Sequence, residues 1–175
     1  MSKHLPEESV EVFIDAARSY CSLIEAADAL PRGQFVWQVG ERLTRLYAAA
    51  SALPETDPTG TEGPGDRIGD AEGFALAHRL KEKLGDLGRY RRVHDPYDAN
   101  ETGVEGSLSD DLADIYGDVK NGLTAVANGV PQADVVWAWR DSFGHHWGIH
   151  AAAALYAIHW ITHTAGEEWI SPDAP

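Results

Sequence analysis

Apolar residues recur at intervals of three and four along most of this chain, which is the pattern of amphipathic helices. Five segments show it, and they cover residues 7–30, about 34–52, about 74–85, about 107–127 and about 132–164. No segment alternates convincingly between apolar and polar positions, as a half-buried strand would. The pattern therefore predicts an all-α fold, a single-domain helical bundle of about five helices.

The fourth helix has a clear start, because Ser107 or Ser109 can accept a hydrogen bond from the backbone of the first turn. Four aspartates form a stripe on the side opposite its apolar residues: Asp110, Asp111, Asp114 and Asp118. Their D-D-x-x-D spacing matches the magnesium motif of prenyl-diphosphate enzymes, but the chain is too short for that fold. The stripe predicts a solvated face, with the alternative that Asp111 or Asp114 reaches another helix.

The composition changes abruptly after the second helix. Residues 54–73 contain five glycines, three prolines, six acidic residues and one arginine. Such a segment has many turn formers and like charges and little to bury. We predict that it is a mobile acidic linker inside a single domain covering residues 1–175. A second irregular stretch, residues 85–106, is long for a loop in a compact domain, and such loops are often functional.

The negative net charge of the chain disfavours nucleic acids and anionic membranes as partners. The chain has 28 acidic and 14 basic residues, a formal net charge of −14, which repels nucleic-acid phosphates and anionic membranes. Its one cysteine, Cys21, is at a core position and cannot form an internal disulfide, which suits a reducing cytoplasm. The first residues lack the basic and apolar runs of a signal peptide, and no apolar run is long enough for a membrane span. We expect a cytoplasmic protein that binds neither nucleic acid nor membranes.

The last helix concentrates the candidate chemistry, since residues 137–160 contain four tryptophans and four histidines. On a helical projection, His146 and His150 fall in the middle of the apolar arc. We therefore expect both to be largely buried, mainly neutral, and bonded to polar groups of the fourth helix. The expected partners, which complete a polar pocket, are Asp111, Asp114 and Tyr116.

The simplest interpretation of His146 and His150 is two core histidines bonded to tyrosine, serine or aspartate. Two functions are compatible with this pocket. The first, which the sequence favours, is a binding or interaction module for an unknown protein or small-molecule partner, and it requires no cofactor. The second is a metal-dependent hydrolase, because His146 and His150 have the four-residue spacing of two-histidine metal sites and aspartates can complete the ligands. The glutamate of the H-E-x-x-H motif is missing between them.

Arg140 and His145 support another function, which ranks after the binding module and before the hydrolase. They fit the R-x4-H spacing of helical ribonucleases that resemble the HEPN domain, in which an arginine and a histidine carry out metal-independent acid–base chemistry. The pattern is short, and the net charge disfavours RNA binding. The alternative is an arginine that pairs with an acidic residue and a histidine at the boundary of the core.

Four segments in the same order resemble a bacterial family, domain-of-unknown-function family 5063: FIDAARSYCSLIE, LTRLYAAASALPE, SLSDDLADIYGDVKNGL and VVWAWRDSFGHHWGIHAAAAL. The resemblance covers most of the chain outside residues 54–73. It implies a small helical bacterial protein and supplies no catalytic residues. The expectations about the pocket therefore depend on the residues themselves.

Overall fold

The structure is a computed structural model that describes residues 7–60 and 70–165. Its elements are, in chain order, helix α1 (Glu7–Glu25), a 3-10 turn (Ala27–Ala29), α2 (Arg32–Ser51), α3 (Asp70–Leu84), a 3-10 turn (Gly85–Gly88), strands β1 (Arg89–Arg92) and β2 (Val104–Ser107), α4 (Leu108–Ala127), α5 (Gln132–Ser142), a π turn (Phe143–Trp147) and α6 (Gly148–His163). The predicted all-α bundle is confirmed, and the last predicted helix contains the π turn. No helix in the described part of the chain is long and apolar enough to cross a membrane.

Helix α4 lies at the centre of the bundle, where it packs against α1, α3, α5 and α6. The core around it buries the largest side chains completely or nearly so, among them Trp139, Trp147, Tyr20 and Phe13. The Phe13 and Trp139 rings meet edge to face with 4.7 Å between their centroids, an arrangement that aromatic rings favour. The buried Tyr20 hydroxyl donates to the Leu112 carbonyl at 3.0 Å, which ties α1 to α4.

A small hairpin is the one departure from an all-helical chain among the described residues, and it lies in the stretch between α3 and α4 that is predicted to be irregular. β1 and β2 pair antiparallel, with Tyr90 opposite Gly106. The apolar–polar pattern does not predict this hairpin, because β1 is only four residues long and mostly arginine. Its alternation is instead between the partly buried Tyr90 and Arg92 and the exposed Arg89 and Arg91.

The structure changes the bounds of the linker predicted after α2. The end of that segment belongs to the first turn of α3. In its first part, the Thr56 hydroxyl donates to the Ala133 carbonyl at 3.0 Å, and the Thr59 hydroxyl donates to the Asp134 carboxylate at 2.7 Å. These bonds hold the chain after α2 against the first turn of α5. Residues 61–69 of the predicted linker lie outside the described residues.

The π turn changes the direction of the side chains in the last helical segment. A π turn holds more residues than an α-helical turn, so a projection at a constant angle no longer relates the residues before it to those after it. Gly148 fits this turn closely, since a Cβ there would lie 2.2 Å from the Phe143 carbonyl oxygen. The burial of a histidine within the turn therefore cannot be taken from a regular helical projection.

Cys21 is expected to resist thiol reagents until the protein unfolds. Its side chain is 2% exposed, and burial raises the pKa of its thiol to about 12, so reactive thiolate is scarce near neutral pH. Labelling by an aromatic disulfide reagent should be at least about a hundredfold slower in the native protein than in denaturant. The chain has one cysteine, so the absorbance of the released thiolate reports on this residue alone. Equal native and denatured rates would contradict its place in the core.

Candidate functional site

Three aspartates of α4 face the π turn and the start of α6. Asp111, Asp114 and Asp118 are spaced by three and four residues, which places them on one side of the helix. Nδ1 of His150 donates to Asp111 Oδ1 at 2.7 Å, and Nδ1 of His146 donates to Asp118 Oδ2 at 2.8 Å. Asp114 Oδ2 lies 3.7 Å from Nε2 of His150. The predicted bonding of both histidines to the fourth helix is confirmed, and we call these residues the histidine–aspartate cluster.

The two histidines differ in burial, and the prediction that both are largely buried is wrong for His146. That residue lies in the π turn, and 50% of its side chain is exposed. His150 is mostly buried, but it is not biased toward the neutral form as expected. Its hydrogen bond to Asp111 raises its pKa, although burial acts in the opposite direction. An acid at hydrogen-bond distance thus outweighs desolvation.

The aspartate stripe of α4 is not the solvated face that the sequence predicts. Asp110 is exposed, but Asp118 and Asp114 are partly buried, and only 4% of the Asp111 side chain is exposed. The alternative, that an aspartate of the stripe reaches another helix, is confirmed by the bond from His150 to Asp111. Burial raises the pKa of Asp114, and interactions with the two neighbouring histidines oppose that effect.

Sequence reasoning missed two side chains of β1 that join the cluster. The Tyr90 hydroxyl donates to Asp111 Oδ2 at 2.5 Å, and Arg92 Nη1 lies 4.0 Å from Asp111 Oδ1. Burial and the bond to Asp111 raise the pKa of Tyr90, which keeps the phenol a neutral donor. Gly106 makes room for this ring, because a Cβ there would lie 2.8 Å from it. The sequence R-Y-R-R of β1 contained a signal for this placement: alternate residues of a strand share one face, so Tyr90 and Arg92 point the same way.

Tyr116, predicted to belong to the pocket, lies on another side of α4. Its hydroxyl donates to the Glu25 carboxylate of α1 at 2.9 Å. The same carboxylate accepts a hydrogen bond from Lys120 at 2.6 Å, and this bond is the largest of the effects that lower the pKa of Glu25. The prediction for Tyr116 is wrong because other helices pack on several sides of α4, and polar residues on each side find partners there. Helical spacing alone does not say which partner each side meets.

Arg140 and His145 bond to different parts of the molecule. The Arg140 guanidinium donates to the Leu53 carbonyl after α2 and lies 3.8 Å from the Glu55 carboxylate. The His145 side chain is 82% exposed, and its Nδ1 lies 3.3 Å from the carboxylate of Asp141 in its own helical turn. The two residues thus match the alternative to the nuclease: the arginine pairs with an acidic residue, and the histidine lies outside the core.

One group of side chains in the described residues has the composition and spacing to hold a metal ion. It consists of Asp114, His146 and His150, and one oxygen or nitrogen atom from each lies within 4.8 Å of the other two. Because Nδ1 of each histidine already donates to a carboxylate, Nε2 is the ring nitrogen left for a ligand, and a metal ion that binds there displaces any proton it carries.

The model of a family described as domain of unknown function (DUF5063) matches residues 4–164. Among solved structures, the crystal structure of protein BF1032 from Bacteroides fragilis resembles this one with a TM-score of 0.79 and 25% sequence identity, over 90% of this chain and 94% of that chain. None of the curated proteins matches the chain.

Proposed function

The chain belongs to the DUF5063 family of domains of unknown function, and within this fold we propose that Asp114, His146 and His150 bind a divalent transition-metal ion that serves hydrolysis. This is the hydrolase alternative stated from the sequence, and it replaces the binding module that the sequence favoured. The nuclease alternative loses support, because Arg140 and His145 are paired in different places.

The observation that carries the proposal is how the two imidazoles are held. Metal-binding histidines usually donate their second ring nitrogen to a carboxylate, which orients the ring and makes the ligating nitrogen more basic. Here Asp111 accepts from His150 and Asp118 accepts from His146, each through Nδ1. Packing alone does not require that each imidazole bond through Nδ1 to its own carboxylate.

The ligand set indicates the class of ion. Two imidazole nitrogens and one carboxylate oxygen occur at catalytic zinc sites and at non-haem iron(II) sites, both of which keep coordination positions open. Such an ion lowers the pKa of a bound water toward neutrality and so supplies a nucleophile for hydrolysis. The exposed side of His146 gives solvent and substrate a way to reach the ligands. The aspartates supply the negative charge that attracts a cation.

Zinc is expected to stabilise the wild-type protein and not the His146→Ala variant. At a zinc concentration one hundredfold above the dissociation constant, one site contributes about 2.7 kcal/mol, or roughly 5–10 °C in melting temperature for a chain of this size. His145→Ala is the matched control, since it removes the neighbouring exposed imidazole, and it should respond to zinc as the wild type does. Isothermal titration of each protein with zinc gives the stoichiometry. No response in the wild type, or equal responses in wild type and His146→Ala, would rule out the site.

Turnover separates the hydrolase from the nuclease. A hydrolase of this kind should cleave a chromogenic ester or phosphoester with zinc present, and a chelator or Asp114→Asn should abolish the activity. The nuclease alternative predicts instead RNA cleavage that survives the chelator and is lost in the Arg140→Ala, His145→Ala double variant.

A further inference from the structure

The arginines of β1 are a local concentration of positive charge on a chain whose formal net charge is −14. Three of the four residues of this strand are arginine. Arg89 lies 3.5 Å from the Glu105 carboxylate, and Arg91 donates to the Gly103 carbonyl, so both are directed to the hairpin itself. Arg92 differs from them, because it is on the face of the strand that meets α4 and the histidine–aspartate cluster.

Arg92 lies next to the cluster but does not form a hydrogen bond with Asp111. Its Nη1 lies 4.0 Å from Asp111 Oδ1, which is too long for a hydrogen bond. Both oxygens of that carboxylate already accept hydrogen bonds, one from His150 and one from Tyr90. With 29% of its side chain exposed, the guanidinium is anchored near the cluster and still open to solvent. Arg92 also interacts by a hydrogen bond with the Tyr90 hydroxyl, which opposes the rise in the pKa of that phenol. A guanidinium has five N–H donors, so donors on its solvent side remain for a ligand.

From this placement we infer that the substrate of the proposed metal site carries an oxyanion group, a phosphate or a carboxylate, which Arg92 binds beside the ion. The inference rests on the proposed function. A planar guanidinium offers paired donors that match the oxygens of such anions, and a cation next to a metal ion is a common way of clamping them. Arg92 would bind and position the substrate, while the ion supplies the activated water.

The arrangement also explains why an arginine lies at a cation-binding site. In the absence of an anion, the positive charge of Arg92 repels the ion that the cluster would bind, and the interaction with Asp111 offsets only part of this effect. An oxyanion between the guanidinium and the ion removes this repulsion. Metal and oxyanion should therefore bind cooperatively, each increasing the affinity for the other by the same factor.

Titration of the zinc-loaded protein with inorganic phosphate and, separately, with acetate tests this inference. We expect the wild type to bind at least one of the two anions, and Arg92→Gln to weaken that binding at least tenfold. Arg91→Gln is the matched control, because it removes a neighbouring guanidinium from the opposite face of the strand, and it should stay within twofold of the wild type. Arg92→Lys keeps the charge but loses the paired donors, so its affinity should be intermediate. Tighter binding of phosphate than of acetate assigns the substrate to phosphate esters, and the reverse assigns it to carboxylates.

The outcomes distinguish this inference from the function on which it rests. Zinc binding by the wild type together with equal anion affinities in Arg92→Gln and Arg91→Gln would overturn the role of Arg92 and leave the metal site standing. Zinc binding without affinity for either anion would have the same meaning. Failure of the wild type to bind zinc would overturn the proposed function, and this inference with it. Circular dichroism of each variant verifies that the bundle is intact.

Discussion

Gly148→Ala is expected to destabilise the protein by about 3 kcal/mol or more and to disrupt the histidine–aspartate cluster at the same time. The added Cβ would lie 2.2 Å from the Phe143 carbonyl oxygen and 2.9 Å from its ring. Neither can move freely, because the carbonyl is part of the helical backbone and the ring packs against Tyr47 and Trp147. The π turn would have to change, and with it the direction of His146.

Gly144→Ala is the matched control for this prediction, since both glycines lie in or directly after the same π turn. A Cβ at Gly144 meets nothing within 4 Å, and its backbone does not adopt a positive φ. An alanine there should stabilise the protein by about 0.5–1 kcal/mol, because it restricts the unfolded chain. Urea unfolding followed by circular dichroism measures both free energies. If the two variants unfold at the same urea concentration, the prediction that Gly148 has no room for a Cβ is wrong.

Asp111→Ala is expected to lower the free energy of unfolding of the zinc-free protein by about 3 kcal/mol. Asp111 is buried and accepts hydrogen bonds from His150 and Tyr90 through different oxygens, so its removal leaves two partly buried donors without their acceptor. Truncating one partner of such a pair costs more than the interaction itself contributes, because the other partner stays desolvated. Asp110→Ala removes the exposed neighbouring carboxylate and should change the free energy of unfolding by less than about 1 kcal/mol.

The cost of Asp111→Ala should also depend on pH. The pKa of His150 is raised above its usual value of 6.5 in the folded protein, first by the bond to Asp111. The ionic part of this stabilisation is therefore fully present below the unfolded pKa and is lost as the pH rises through the higher folded pKa. The difference between wild type and variant should be larger in mild acid than in mild alkali. Urea unfolding across that range would contradict the ionic pairing if the difference were constant or grew with pH.

The sequence by itself determined the helices and the pairing of α4 with the last helical segment. Spacings of three and four specify an amphipathic helix because the backbone hydrogen bonds that form it are local. Of the two serines that the sequence offers as caps, Ser107 is the one that caps α4, since its hydroxyl accepts from the Asp110 backbone at 3.4 Å. His146 and His150 find carboxylates of α4 because imidazoles near a core require polar partners, and the aspartate stripe offers them.

Only the tertiary structure decided which side chains complete the site. The π turn places His146 half in solvent, and its position depends on the packing around Gly148, which a regular projection does not contain. Tyr90 and Arg92 reach Asp111 because a hairpin brings residues about twenty positions away onto α4, whereas Tyr116 turns to α1. Periodicity is a local property that gives each helix its faces. The partner that each face meets is settled by contacts between residues far apart in the chain.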